Sequence, residues 1–164
     1  MVKMFELVPE QEYPALAQLI AQLWHSAYDG LLGVRQVEYM TQKFQSAEAI
    51  CRQVQEQNYL YFYLKKGGKT IGYCGIRAEE DRLFLSKLYL RKEEWGKGNG
   101  RRALQTVAEM AKRLGLASVY LTVNKQNARA IRAYERFGFV RTDSEVTDIG
   151  GGFVMDDYIY EYSL

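Results

Sequence analysis

The sequence predicts an α/β sandwich built on one mixed, mostly antiparallel sheet. Three observations carry this. Residues 59–90 hold three strand-like runs separated by turn signals, Lys66-Gly67-Gly68-Lys69 and Glu79-Glu80-Asp81, which is the pattern of an antiparallel meander. A glycine-rich stretch, Trp95-Gly96-Lys97-Gly98-Asn99-Gly100, then runs into an amphipathic helix with Leu104, Val107, Ala108, Ala111 and Leu114 in one stripe. A strand at 117–123 follows that helix. A strand reached across a helix lies parallel to the one before it, so 117–123 should lie beside 82–90.

The other elements fall into place around these. A short strand at 4–8 leads into a helix whose Leu16, Leu19, Ile20, Leu23 and Ala27 recur at helical spacing, with Asp29-Gly30 and Gly33 expected to break it. A second helical region covers roughly 36–44. Ser46 suits the N-cap of a third, with Ile50 and Val54 on its inner face. Strands follow at 59–64, which is aromatic-rich, then at 70–78 and 82–90. Gly115 suits the C-cap of the helix after the glycine loop. Asn127 suits the N-cap of the last helix and Gly138 its end. Two strands, near 139–142 and 154–162, finish the chain. There are no repeats, linkers or low-complexity tracts, so 1–164 is expected to be a single domain.

Composition narrows the function. A net charge of +2 without a basic block gives no reason to expect nucleic acid as a partner. Cys51 and Cys74 are far apart and read as buried free thiols in a reducing compartment. With two cysteines and one histidine, no metal site is expected. The first residues carry an early acid and no long apolar run, and no segment has the length of a membrane span, so the expected location is cytoplasmic. Thirteen tyrosines suit a pocket or a subunit contact, which leaves a homodimer open.

The glycine loop carries the chemistry. Glycine reaches φ > 0 and lets backbone approach a ligand closely. A helix start offers unpaired N–H groups and the positive end of its dipole, a setting for phosphate or pyrophosphate. Arg101 and Arg102 lie at the end of a helix where the dipole disfavours cations, and a bound anion explains them. A P-loop would need Gly-Lys-Ser/Thr, whereas the chain has Gly96-Lys97-Gly98. A dinucleotide fingerprint matches in letters, Gly98-x-Gly100-x-x-Ala103. However, Arg91-Lys92-Glu93-Glu94 separates it from the preceding strand, and no acid ends the strand about 20 positions on.

Acyl-CoA binding is the remaining candidate, and a second segment favours it. The run from Asn124 to Phe139 contains Asn127, Ala130, Tyr134, Gly138 and Phe139 in the order Asn-x-x-Ala-x-x-x-Tyr-x-x-x-Gly-Phe. With the glycine loop, this closely resembles the GNAT superfamily of N-acetyltransferases, over about residues 83–139, and is similar to bacterial small-amine and polyamine acetyltransferases. The family's loop reads Arg/Gln-x-x-Gly-x-Gly/Ala. Trp95 departs from it at the first position, and Asn99 replaces a commonly apolar residue. The resemblance implies a GNAT-type sandwich with helices on both faces and two central parallel strands that splay apart to admit the pantetheine arm.

The same resemblance implies the site. Acetyl-CoA would be the co-substrate. Its pyrophosphate would rest on N–H groups from Trp95, Gly96, Lys97, Gly98, Asn99, Gly100 and Arg101. Its pantetheine arm would pair with the backbone of Leu88, Tyr89 and Leu90, and a backbone N–H there would bind the thioester oxygen. Asn127 would contact the arm, and Lys97, Arg101, Arg102 or Arg136 the 3′-phosphate. Tyr134 matches the family's general acid for the departing thiolate, although a core tyrosine beside Ala130 and Ile131 fits the same spacing. For the base, Glu79, Glu80, Asp81, His25 and ordered water all stay open. The acceptor is expected to be a small primary amine, with a polyamine as first guess, attacking directly in a ternary complex. Tyr28, Tyr39 and the acidic tail with Asp156 and Asp157 are the acceptor-site candidates. Two rivals remain: an idle GNAT domain that senses acyl-CoA or binds a partner, and a nicotinamide-dependent oxidoreductase.

Overall fold

The computed structural model describes residues 3–164. They form two compact units: one holds the chain through Arg77 together with Lys87–Lys97, the other Ala78–Ser86 and Gly98–Leu164. Among the described residues, the seven strands follow the hydrogen-bonded order β1-β2-β3-β4-β5-β7-β6. In chain order these are β1 (Phe5–Leu7), β2 (Tyr59–Lys66), β3 (Lys69–Ala78), β4 (Arg82–Leu90), β5 (Ser118–Asn124), β6 (Val140–Gly150) and β7 (Phe153–Ser163). β4 gives its start to the second unit and its end to the first. No helix among the described residues is long and apolar enough to cross a membrane.

The first unit joins β1, β2, β3 and the end of β4 to helices α1 (Tyr13–Leu32), α2 (Val34–Phe44) and α3 (Ala47–Glu56). Leu16, Leu19, Ile20 and Leu23 are buried as their spacing predicts, and Trp24 and Tyr28 extend the buried face. The expected break at Asp29-Gly30 does not occur. The helix runs on to Leu32, and the Gly33 N–H still bonds the Asp29 carbonyl at 3.0 Å. A helical glycine costs about 1 kcal/mol, too little to stop a helix packed along its length. Gly33, with φ 85°, ends it and turns the chain directly into α2. Ser46 caps α3, its Oγ accepting the Ala49 N–H at 3.1 Å. Gly67 and Gly68 both have positive φ, as a two-residue hairpin turn between β2 and β3 requires. Cys74 is buried as expected. Cys51 is not: it is half-exposed on α3, with Sγ 3.6 Å from Glu10.

The second unit places the start of β4 parallel to β5, with Arg82–Phe84 opposite Ser118–Tyr120. β7 runs antiparallel to the whole of β5 through Asp157–Ser163 and to β6 on its other edge. Helices α4 (Asn99–Arg113) and α5 (Ala128–Phe137) belong to this unit. Leu104, Val107, Ala108 and Ala111 of α4 are buried, but Leu114 is exposed. It lies past the last helical turn, where Gly115 (φ 75°) reverses the chain and the Leu116 N–H bonds the Ala111 carbonyl. β6 is far longer than 139–142. Its residues 140–148 are exposed, so hydrogen bonds to β7, rather than burial, define it.

Candidate active site

In the first unit the end of β4 is built into an aromatic cluster. The Tyr89 ring stacks on Tyr73 with centroids 5.7 Å apart, and its hydroxyl lies 2.7 Å from that of Tyr28. Trp24, one turn before Tyr28 on α1, packs against both rings, and the Lys87 ammonium sits 5.9 Å from the Trp24 ring centre. Tyr28, expected near an acceptor, is thus held against β4. Tyr39 engages Lys43 on its own helix at 3.2 Å. His25 Nδ1 lies 2.7 Å from Asp29 Oδ1. Sequence reasoning missed Trp24, Tyr73 and Lys87. The Trp24–Tyr28 spacing of four was the available signal for one of them.

The loop that follows begins with Trp95, whose indole N–H donates to the Leu90 carbonyl at 3.1 Å. Gly96 and Gly98 both have positive φ, 73° and 80°. Successive backbone N–H groups in alternating conformations of this kind form an anion-binding nest. Gly96, Lys97 and Gly98 are exposed. These features fit a pyrophosphate.

In the second unit Gly98 is the N-cap of α4, and Asn99 at the helix start is only 1 % exposed. Asn99 Oδ1 accepts a hydrogen bond from the Arg102 guanidinium, which folds back to 3.7 Å from where a Gly98 Cβ would stand. Arg101 lies over the Phe137 ring of α5, 5.6 Å from its centre. Asn127 Oδ1 accepts the Ala130 N–H at 3.3 Å and caps α5. That helix has no fully buried residue: Ala130, Ile131, Tyr134 and Phe137 are all half-buried, while Arg136 is exposed. The Tyr134 ring meets Phe139 edge-on at 5.7 Å.

The acidic candidates separate. Asp156 is exposed and pairs with Lys125 at 2.9 Å, a contact that raises the lysine's pKa. Asp157 is 6 % exposed, opposite Asn124 on β5 and Glu145 on β6. Neighbouring strand residues point to opposite faces, so the two carboxylates do not converge on one point. Glu79 accepts from the Tyr120 hydroxyl at 2.6 Å and faces Arg82 at 3.9 Å. This places it at the start of β5, whereas α5 begins beyond that strand's other end.

The family model for the GNAT acetyltransferases matches residues 18–139. The chain belongs to the GNAT acetyltransferase family. It is accordingly an acetyl-CoA-dependent N-acetyltransferase. It is 27 % identical over 103 residues to the ribosomal protein bS18-alanine N-acetyltransferase of Escherichia coli, covering 63 % of this chain and 70 % of that one. It is 34 % identical over 81 residues to a probable spermine N(1)-acetyltransferase of Bacillus subtilis subsp. natto, covering 44 % of this chain and 53 % of that one. In fold it is similar to the PaiA N-acetyltransferase of Thermoplasma acidophilum, crystallised with coenzyme A. The TM-score is 0.80 at 21 % identity, over 99 % of this chain and 100 % of the other.

Proposed function

We propose that this N-acetyltransferase moves the acetyl group to a primary amine of a small molecule, a polyamine first among candidates, by direct attack in a ternary complex. One observation carries the reading of the transfer step. Tyr134 lies half-buried on α5, whose apolar face Ala130, Ile131, Tyr134 and Phe137 is incompletely covered by protein. A tyrosine needed only for packing would be expected deeper in the core. The family resemblance assigns this phenol to the departing thiolate.

In this reading the amine nitrogen forms the new C–N bond, the C–S bond breaks, and Tyr134 protonates the thiolate. The amine gives up one proton to solvent or a base. The exposed nest at Gly96 and Gly98 holds the pyrophosphate, with Arg101 and Arg136 near the 3′-phosphate. The backbone of Leu88, Tyr89 and Leu90 pairs with the arm. The polyamine guess rests on Asp156 and on the likeness to the probable spermine acetyltransferase over about half of that protein.

The test is acetyl transfer from acetyl-CoA across polyamines, aminoglycosides, amino acids and peptide N-termini. Turnover of spermidine or spermine ahead of the peptides supports the proposal. Turnover confined to peptides beginning with alanine would replace it with the reading suggested by the ribosomal-protein acetyltransferase.

A further inference from the structure

The end of β4 has its backbone direction set by two residues outside it. Gly72 lies on β3, facing Tyr89 and Leu90. A Cβ there would stand 2.1 Å from the Tyr89 carbonyl oxygen, 3.0 Å from its carbon and 3.0 Å from the Leu90 Cα. The oxygen is nearer than its own carbon, so this C=O is directed toward the space a side chain would fill. Gly72 has no need of positive φ. Its lack of a side chain serves the close approach alone.

The peptides of the described residues are trans, and a trans peptide holds its N–H opposite its C=O. With the Tyr89 carbonyl turned toward Gly72, the Leu90 N–H points away from β3. The next peptide is held at both ends. The Trp95 indole N–H takes the Leu90 carbonyl at 3.1 Å, and the Arg91 N–H donates to the Ile71 carbonyl at 2.8 Å. Trp95 is also the position at which the chain departs from its family's loop pattern. Its side chain ties the start of the glycine loop to the end of β4.

We infer that Gly72 and Trp95 are positioning residues of the acetyl-transfer step, fixing the Tyr89–Leu90 peptide so that the Leu90 N–H meets the thioester oxygen. This rests on the proposed course of the pantetheine arm along Leu88–Leu90, but not on the acceptor or on Tyr134. Gly72 provides space and Trp95 provides a hydrogen bond, so the two can be removed by unrelated substitutions. Gly72→Ala introduces the Cβ. Trp95→Phe keeps a ring beside Lys92 and removes the N–H.

The experiment is isotope-edited infrared spectroscopy of bound acetyl-CoA carrying a labelled carbonyl, with the affinity for CoA measured alongside. CoA lacks the acetyl carbonyl and reports cofactor holding alone. The carbonyl stretch should lie at lower frequency in the wild type than in either variant, because accepting a hydrogen bond weakens the C=O bond. CoA affinity should stay within about threefold. Single-turnover transfer should slow by on the order of 10²-fold in Gly72→Ala, the scale of losing one oxyanion donor. If Gly72→Ala does not fold, Trp95→Phe decides alone. An unchanged stretch in the variants would overturn the inference. So would a wild-type stretch equal to that of acetyl-CoA in an aprotic solvent, or a loss of CoA affinity parallel to the loss of rate.

Discussion

Trp24 donates its indole N–H to the Tyr73 hydroxyl at 2.9 Å, joining α1 to β3 through a buried polar contact. The same hydroxyl donates to Gln45 at 3.0 Å, and Gln45 in turn donates to Tyr61 at 2.9 Å. Tyr73→Phe keeps the ring but leaves the Trp24 N–H and the Gln45 oxygen without this partner. The expected cost is about 1–3 kcal/mol, read as a fall in Tm of about 2–4 °C per kcal/mol. Burial holds the Tyr73 phenol neutral well above its usual range. The folded chain therefore keeps a proton that the unfolded chain releases near pH 10. Stability from this group is complete below about pH 10 and falls above it. The stability gap between wild type and Tyr73→Phe should narrow when denaturant titrations move from pH 8 to pH 11. A gap that stays constant would remove Tyr73 from the alkaline response.

Gly98 is the N-cap of α4 with φ 80°, a conformation that a β-branched residue resists. Gly98→Val should remove the nest and crowd the Arg102 guanidinium. Acetyl-CoA at about 100 times its Kd should stabilise the wild type by about 2.7 kcal/mol. The variant should show no thermal shift at the same concentration. A shift of wild-type size would move the pyrophosphate away from this loop.

Tyr134→Phe removes the phenolic proton and keeps the edge-on packing against Phe139. Loss of a positioned acid should slow single-turnover transfer by roughly 10²–10⁴-fold while acetyl-CoA affinity changes little. An unchanged single-turnover rate would assign the tyrosine to packing alone.

The tail carboxylates should behave differently when replaced singly. Asp156→Asn breaks the pair that this exposed carboxylate makes with Lys125 and should raise KM for spermidine with KM for acetyl-CoA nearly unchanged, the pattern of selective loss of acceptor binding. Asp157→Asn alters a buried side chain between β5 and β6, so its main effect should be on Tm. A spermidine KM unmoved by Asp156→Asn would remove that residue from the acceptor site.

By itself the sequence determined the elements whose signal is local or periodic. The α1 face from Leu16 to Leu23, the Gly67-Gly68 turn, the Ser46 and Asn127 caps and the glycine loop are each specified by residues within a few positions of one another. These features suffice to place the chain in its family. Tertiary structure decided what depends on distant partners. Only 139–142 of β6 reads as a strand, because none of residues 140–148 is buried to give a longer signal, yet pairing with β7 carries it to Gly150. Asp156 and Asp157 are adjacent and alike in sequence, and strand alternation gives one to Lys125 and the other to the interior. Gly72 looks like any strand glycine until the Tyr89 carbonyl is seen in its side-chain space. Trp95 looks like a lost family residue until its N–H is found on Leu90. Hydrophobic period records which face is buried; it holds no record of which carbonyl a side chain reaches, because that is fixed only when separate strands and loops are brought together.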